Sequence, residues 1–291
     1  MNFDLHQPRT VDDALGLAAS FGERGHFIAG GTDIVIQMRR GRRNPEHLID
    51  LSGLEGLDTI ETTTEGFRLG AMVTHKAIER HPPFRADLGM LAEAAHMVGG
   101  HQVRNVATVG GNIANASPAA DVVVPLVALD AAVTLRSTGG SRQVPLGDFL
   151  VGPGKTGRRA DEMLSAIRFA KLPQGSGSAF LKSGRRKAME ISVVCVAACL
   201  TVRDAALSRV RIALGAVGPT ALRACAAEAM LEGQAADRGL IGRAALCAAA
   251  ECAPVSDVRA SAEYRRLLVE VLVARALERC VERAGGSGAW A

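Results

Sequence analysis

The stretch from Arg104 to Asp121, RNVATVGGNIANASPAAD, narrows what this chain can fold into more than any other segment. It sets a glycine pair (Gly110, Gly111), an amide (Asn112), small or hydroxyl residues (Thr108, Ala114, Asn115, Ser117, Ala120) and a terminal acid (Asp121) between two apolar segments. Glycine reaches φ > 0 and lets the backbone approach a ligand closely, and successive exposed N–H groups in such a turn form an anion-binding concavity. Thr108 and Ser117 offer hydroxyl donors, and Asp121 can accept from a sugar hydroxyl or a ring N–H. On this segment alone, a tight turn that only caps a helix at Ser117, before Pro118, is the alternative.

A second glycine pair precedes it. His26 to Asp33, HFIAGGTD, is a short apolar run ending in Gly30-Gly31, followed by Thr32 and Asp33 as capping side chains for a helical stretch from Ile34 to Arg40. A strand, a glycine turn and a helix start would place backbone N–H groups and the positive helix end at one point. Two such points suit a diphosphate.

At 291 residues the chain can hold two or three compact units, and no run approaches the ~18 apolar residues of a membrane span. MNFDLHQPRT lacks the basic and apolar regions of a secretory signal, so a cytoplasmic location is expected. The six cysteines (Cys195, Cys199, Cys225, Cys247, Cys252, Cys280) form no CxxC pair and have no histidine at metal-ligand spacing, so they read as buried reduced thiols and no metal site is expected. A net charge of +4 is too small for a nucleic-acid footprint. Two basic clusters, Arg39-Arg40-Arg42-Arg43 and Lys182-Arg185-Arg186-Lys187, read as solvated surface, with phosphate or partner contact as the alternative.

Patterning gives an α+β chain. Thr10 caps a helix to Phe21 that packs on strands His26–Ala29 and Leu48–Asp50, a first lobe of residues 1–57. The second lobe, 58–174, opens with a hairpin (Asp58–Glu61, Phe67–Gly70) and continues with helices Thr74–Arg80 and Phe84–Val98. It then carries the glycine stretch as a loop, a buried helix Val122–Leu129, a hairpin Ala132–Arg136 and Arg142–Leu146, and a closing segment Ala160–Lys171. LPQGSGS, Leu172 to Ser178, reads as a linker. Residues 175–291 form a C-terminal α+β domain with a three-stranded antiparallel sheet (Ala179–Lys182, Ile191–Arg203, Ser208–Leu214). Its helical bundle comprises Ala221–Glu232, Gly239–Ala250 and Ser261–Arg283, before a frayed GGSGAWA tail.

Two tempting motifs fail in context. Gly152 to Gly157, GPGKTG, fits GxGxxG and ends like a Walker A loop, but Phe149 stands where Walker A needs glycine, and Arg158, Arg159 and Asp161 stand where a Rossmann helix needs apolar residues. No GxSxG or HExxH occurs, and the seven histidines (6, 26, 47, 75, 81, 96, 101) are scattered, so no hydrolase and no catalytic residue is expected.

The two glycine loops, in this order, resemble the FAD-binding (medium) subunit of the molybdenum hydroxylase family, the xanthine dehydrogenase and carbon monoxide dehydrogenase type. That family shows AGGT[DE] or AGGxS and then TxGGNIxxASPxxD. The resemblance runs on through FLVGPGKT, FLKSGRRKAMEIS, ALGAVGPTALRA and DVRASAEYRRLL, over essentially the whole chain. It implies a two-lobed FAD-binding domain, 1–174, of the vanillyl-alcohol oxidase/PCMH type, and one FAD in this chain. It assigns the phosphates to Ile28, Ala29, Gly30, Gly31, Thr32 and Asp33, with Thr108, Gly111, Asn112, Ala114 and Asn115. Asp121 would meet the adenosine side, and Leu164 and Lys182 the isoalloxazine, where a lysine charge favours the reduced anionic form. Relatives often place an aromatic on the flavin ring. Here only Tyr264 and Trp290 supply large rings besides phenylalanine, so Val98 or Ile191 is expected to cover it.

The implied function is electron transfer between iron–sulfur clusters and an external acceptor within a molybdenum-containing dehydrogenase or hydroxylase. The partners implied are a large molybdopterin-binding subunit and a small subunit with two [2Fe–2S] clusters, as a dimer of heterotrimers. Two alternatives stay open: a self-standing FAD-dependent oxidoreductase of the same flavin fold, and a scaffold subunit that has lost FAD.

Overall fold

The computed structural model describes residues 2–186 and 188–285. Lys187 of the second basic cluster, Trp290 and the tail beyond Gly285 lie outside the described residues. Three lobes follow one another along the chain, each built on its own sheet.

The first holds β1 (Asp4–His6), α1 (Val11–Phe21), β2 (Gly25–Ile28), α2 (Ile34–Arg39) and β3 (His47–Asp50). Its strands are parallel, in the order β1-β3-β2. Thr10 caps α1 through a reciprocal box with Asp13, in which Asp13 N–H donates to the Thr10 hydroxyl and Thr10 N–H to the Asp13 carboxylate, fixing where the helix starts. Ala14, Leu15 and Ala18 then face Ile49, Leu51, Leu54 and Leu57. Patterning misses β1 because its three residues, DLH, show no buried alternation and Leu5 is exposed.

The second lobe contains β4 (Ile60–Thr62), β5 (Gly66–Gly70), α3 (His75–Arg80), α4 (Pro82–Asp87), α5 (Gly89–Met97), α6 (His101–Val106), α7 (Val109–Ala114) and α8 (Val123–Ala128). The chain then runs through β6 (Ala132–Ser137), β7 (Gly140–Pro145), α9 (Leu146–Phe149), β8 (Leu150–Gly152), β9 (Lys155–Thr156) and β10 (Met163–Ala170). Its antiparallel sheet runs β4-β5-β10-β6-β7. The helix expected over Phe84–Val98 is two helices. Pro82 and Pro83 start α4 from within, since their fixed φ suits a first turn, and Leu88 leaves helical geometry before Gly89 opens α5.

The third lobe has β11 (Ser176–Ser183), β12 (Val194–Arg203), β13 (Ala206–Gly215), β14 (Leu222–Arg223), α10 (Cys225–Leu231), α11 (Arg238–Ala250) and α12 (Ala262–Arg283). The expected three antiparallel strands gain a two-residue fourth, β14, and β11 begins inside the segment read as a linker. In β12 the residues alternate between two cores. Cys195, Ala197 and Cys199 join the core of the second lobe, whereas Val194, Val196, Ala198 and Leu200 join the core under α10–α12. Burial on both faces explains why this strand reads as one continuous apolar run. It also fixes the third lobe against the second, because the core of the second lobe extends across the boundary to Phe180 and Ala213.

Candidate functional site

All three lobes meet on the stretch Arg104 to Asp121. Its structure corrects one expectation: it is no open loop but two short helices, and Gly110 and Gly111 are helical rather than left-handed. The first-turn N–H groups of α7 are already taken. Val109 donates to Val73, Gly110 to Ala71 and Asn112 to Thr108 carbonyls, and Gly111 donates to the Thr108 hydroxyl at 3.0 Å. An anion therefore cannot use those N–H groups. What remains for a ligand is side-chain chemistry: the Thr108 hydroxyl hydrogen, and Asn112, whose Oδ1 is buried without a hydrogen-bond partner among the described residues.

The first glycine pair behaves as a cradle. A Cβ on Gly30 would lie 1.8 Å from the Val106 carbonyl oxygen, so this position packs backbone on backbone against the start of the second glycine stretch. Gly31 takes φ +69°, which L side chains rarely adopt. Among the described residues no acceptor is found for the N–H groups of Gly30, Gly31, Thr32 and Asp33, in contrast to α7. Asp33 makes no capping bond to α2, and burial raises its carboxyl above the ordinary value. The two segments are tied again by Gln37 of α2, whose Nε2 donates to Asn115 Oδ1 at 2.8 Å.

Positive charge collects behind this cradle. Burial first, then the guanidinium groups of Arg43 and Arg158, hold the His26 imidazole below its ordinary value. Arg158, which in the sequence only argues against a Rossmann helix, lies over the Phe27 ring at 5.9 Å. Its backbone partners are the carbonyls of Arg159, Ala160 and Glu162, which hold it in place. The GPGKT segment also finds a role. It is the β8–β9 hairpin, and Gly154 N–H donates to the Ala116 carbonyl at 2.9 Å.

At its other end the stretch meets the third lobe. Ala216 N–H donates to the Pro118 carbonyl at 2.8 Å. Asp121, buried, accepts from Lys182 Nζ at 2.6 Å on one oxygen and from the Ser192 hydroxyl at 2.5 Å on the other. Lys182 also donates to the Met97 carbonyl at 3.2 Å. Burial pushes the Asp121 carboxyl up, against the pull of Lys182 and Ser192. Asp121 is thus an internal anchor between lobes, and both its oxygens are engaged by the chain itself. Lys182 corrects the surface reading of its cluster, because its side chain is only 5% exposed. Arg185 and Arg186 do sit at the surface, paired with Glu190.

Two cavities, of about 520 and 710 Å³, share Met97 and Lys182 in their walls, and neither is lined by the glycine segments. Leu164 lies elsewhere again, buried in the second-lobe core and paired with Leu135. Val98 is partly buried against that core, while Ile191 and Tyr264 are exposed. Cys225 departs from the expected buried thiols, being exposed, and Cys247 is intermediate. Burial pushes the Cys199 thiol up to about 12.

Behind the glycine stretch lies a polar cluster. Thr74 pairs with Thr108, and His75 N–H donates to the Ala107 carbonyl. Burial, then the Arg104 charge, lowers the His75 imidazole from 6.5 to about 4. Burial alone would raise Glu79, but hydrogen bonds from His96 and Lys76 and the charges of Arg104 and Lys76 bring it from 4.5 down to about 2. Both folded values lie below the unfolded ones, so the unfolded chain binds more protons in each window and stability falls as pH falls. Urea titrations should show a loss of about 3 kcal/mol between pH 6.5 and pH 4 that His75→Gln removes. A further loss should follow between pH 4.5 and pH 2 as Glu79 protonates.

Comparison with known proteins agrees with this architecture. A family model described as the FAD binding domain in molybdopterin dehydrogenase matches residues 1–172, and one described as the CO dehydrogenase flavoprotein C-terminal domain matches residues 179–280. The chain belongs to this family and is an oxidoreductase subunit with a FAD-binding domain. It is similar to the xanthine dehydrogenase FAD-binding subunit of Escherichia coli O157:H7, 32% identical over 97% of each chain. It is also 33% identical to the carbon monoxide dehydrogenase medium chain of Hydrogenophaga pseudoflava, over 94% of this chain and 96% of that one. A solved carbon monoxide dehydrogenase from Hydrogenophaga pseudoflava superposes with a TM-score of 0.94, at 34% identity over 97% and 98% of the two chains. Quinoline 2-oxidoreductase from Pseudomonas putida 86 superposes at 0.92, with 27% identity over 98% of each.

Proposed function

We propose that this chain is the electron-transfer subunit of a multi-subunit molybdenum-containing dehydrogenase or hydroxylase, holding one FAD across the junction of its lobes. The observation that carries the reading is the contrast at that junction. Asn112 Oδ1, an acceptor without a donor, suits a ligand hydroxyl or N–H. The N–H groups of Gly30 to Asp33 lack acceptors, and Arg43 and Arg158 supply positive charge close by, a set that fits a diphosphate. Bound FAD would supply the exchange of electrons between one-electron and two-electron partners.

The chain's own residues do the rest. Ile28 to Asp33 hold the phosphates, with Thr108, Asn112, Ala114 and Asn115 on the facing segment. Gly111 serves by letting Thr108 cap α7 rather than by a left-handed turn. Lys182, fixed by Asp121 and Met97, keeps a positive charge at the cavity walls where the flavin ring would sit. Asp121 acts through Lys182 rather than on adenosine, and Leu164 supports the sheet beneath. The FAD-binding unit, of the vanillyl-alcohol oxidase/PCMH type, spans 1–174 in this reading, and 175–291 dock the third lobe on it.

The partners are a large molybdopterin-binding subunit and a small [2Fe–2S] subunit, as a dimer of heterotrimers in the cytoplasm. No helix among the described residues is long and apolar enough to cross a membrane. Affinity purification of the tagged chain from its native cells, with mass determination, should recover both partners in equal ratio. Recovery of the chain alone, active toward a reduced substrate, would replace this reading with a self-standing oxidoreductase.

A further inference from the structure

The first-lobe sheet carries a cluster that the flavin site does not use. Asp4 and His6 stand two residues apart on β1, so both side chains leave the same face of the strand. The parallel register sets Asp4 opposite His47, the first residue of β3. Three ligating side chains therefore converge. His6 Nε2 lies 3.3 Å from His47 Nδ1, which lies 3.5 Å from Asp4 Oδ2, and one ligand atom from each falls within 4.8 Å of the others.

These separations have a meaning in coordination chemistry. A tetrahedral ion with bonds of about 2.0–2.2 Å keeps its ligand atoms about 3.3–3.6 Å apart, the edge of the tetrahedron. Two of the three edges are already at that length, and the exposed Asp4 side chain is free to close the third. Phe21 stacks on the His47 ring at 3.9 Å and 21°, and its centroid is 4.8 Å from that of His6, so both imidazoles are held by packing. The cluster is the one such group among the described residues. It sits at the start of β3, beside Gly25, whereas the glycine cradle follows Ile28 at the far end of β2.

We infer that Asp4, His6 and His47 form a site for a divalent late transition metal of the zinc class, with solvent as fourth ligand. Two imidazoles and a carboxylate select such ions over magnesium or calcium, which take oxygen ligands. The bound ion clamps the three-residue edge strand β1 to β3.

Equilibrium dialysis of the full chain against Zn²⁺, after removal of metal with EDTA, tests this. One zinc per chain is expected, with a raised unfolding temperature on addition of the ion. His6→Gln and Asp4→Asn, both at the sheet edge, should each weaken uptake by at least about tenfold with far-UV circular dichroism unchanged. Cys225→Ser should leave uptake as it is. Zinc that is absent from the wild-type chain, unchanged in either variant, or lost in Cys225→Ser overturns the site.

Discussion

Gly30→Ala should release the flavin and destabilise the chain by about 3 kcal/mol or more, the upper end of what overpacking costs. The added methyl would meet the Val106 carbonyl oxygen at 1.8 Å, with the Val106 carbonyl carbon at 2.5 Å, and backbone on both sides leaves no flexible side chain to give way. The first loop must lift off the second, which separates the unpaired N–H groups of Gly30 to Asp33 from Asn112. Gly31→Ala is the graded comparison. There the new Cβ meets only side chains at ordinary contact distance, Val35 Cγ2 at 3.4 Å and Ile28 Cδ1 at 3.6 Å, and the cost is the left-handed backbone, about 1–2 kcal/mol. Gly111→Ala meets only the Thr108 hydroxyl at 3.1 Å and should be the mildest of the three. Urea midpoints and bound flavin per chain for the series check the order. Equal flavin retention in Gly30→Ala and wild type would remove the first loop from the site.

Lys182→Met should destabilise by about 3–5 kcal/mol, because it strands a buried carboxylate whose counter-charge is gone. The Asp121 side chain is 8% exposed and that of Lys182 5%, so water cannot replace the lost partner. Adding Asp121→Asn should restore most of the loss, since the amide carries no charge. The double variant then isolates the flavin role. Its two-electron potential should be more negative than that of Asp121→Asn alone, by ~30 mV for each 1.4 kcal/mol of lost stabilisation of the reduced form. Equal potentials, measured by spectroelectrochemistry, would confine Lys182 to holding the lobes together.

The elements most legible in the sequence are those whose boundaries are set locally. Thr10 with Asp13, Thr74 and Ser261 are side-chain caps that announce their helices, and α8 reads as buried because every residue in it is apolar. The glycine stretch announces its importance but not its conformation. Gly110 and Gly111 suggest a left-handed turn, yet both are helical, and Gly110 serves close packing in α7, where a Cβ on it would meet Ala71 at 2.6 Å. That need is set by a segment some forty residues away in sequence, which no local pattern encodes. The same holds for Asp121. Its type fits a ligand contact, and only the packing of the third-lobe sheet on the second-lobe core brings Lys182 to it. Scattered histidines likewise say nothing until a parallel pairing sets His6 beside His47. Gln37 and Arg158 carry no sequence signal for a place at this site, because long polar side chains near a loop are ordinary surface until packing fixes their ends.

The central claim, that the junction of the lobes holds a flavin, is tested most directly by acid precipitation of the purified chain and chromatography of the supernatant. Neither Ile28 to Asp33 nor Thr108 to Asn115 contains a histidine or cysteine to attach flavin covalently. The expected result is one FAD released per chain and a colourless pellet. A colour retained in the pellet, FMN in place of FAD, or a chain that contains no flavin when isolated with its partners would contradict it.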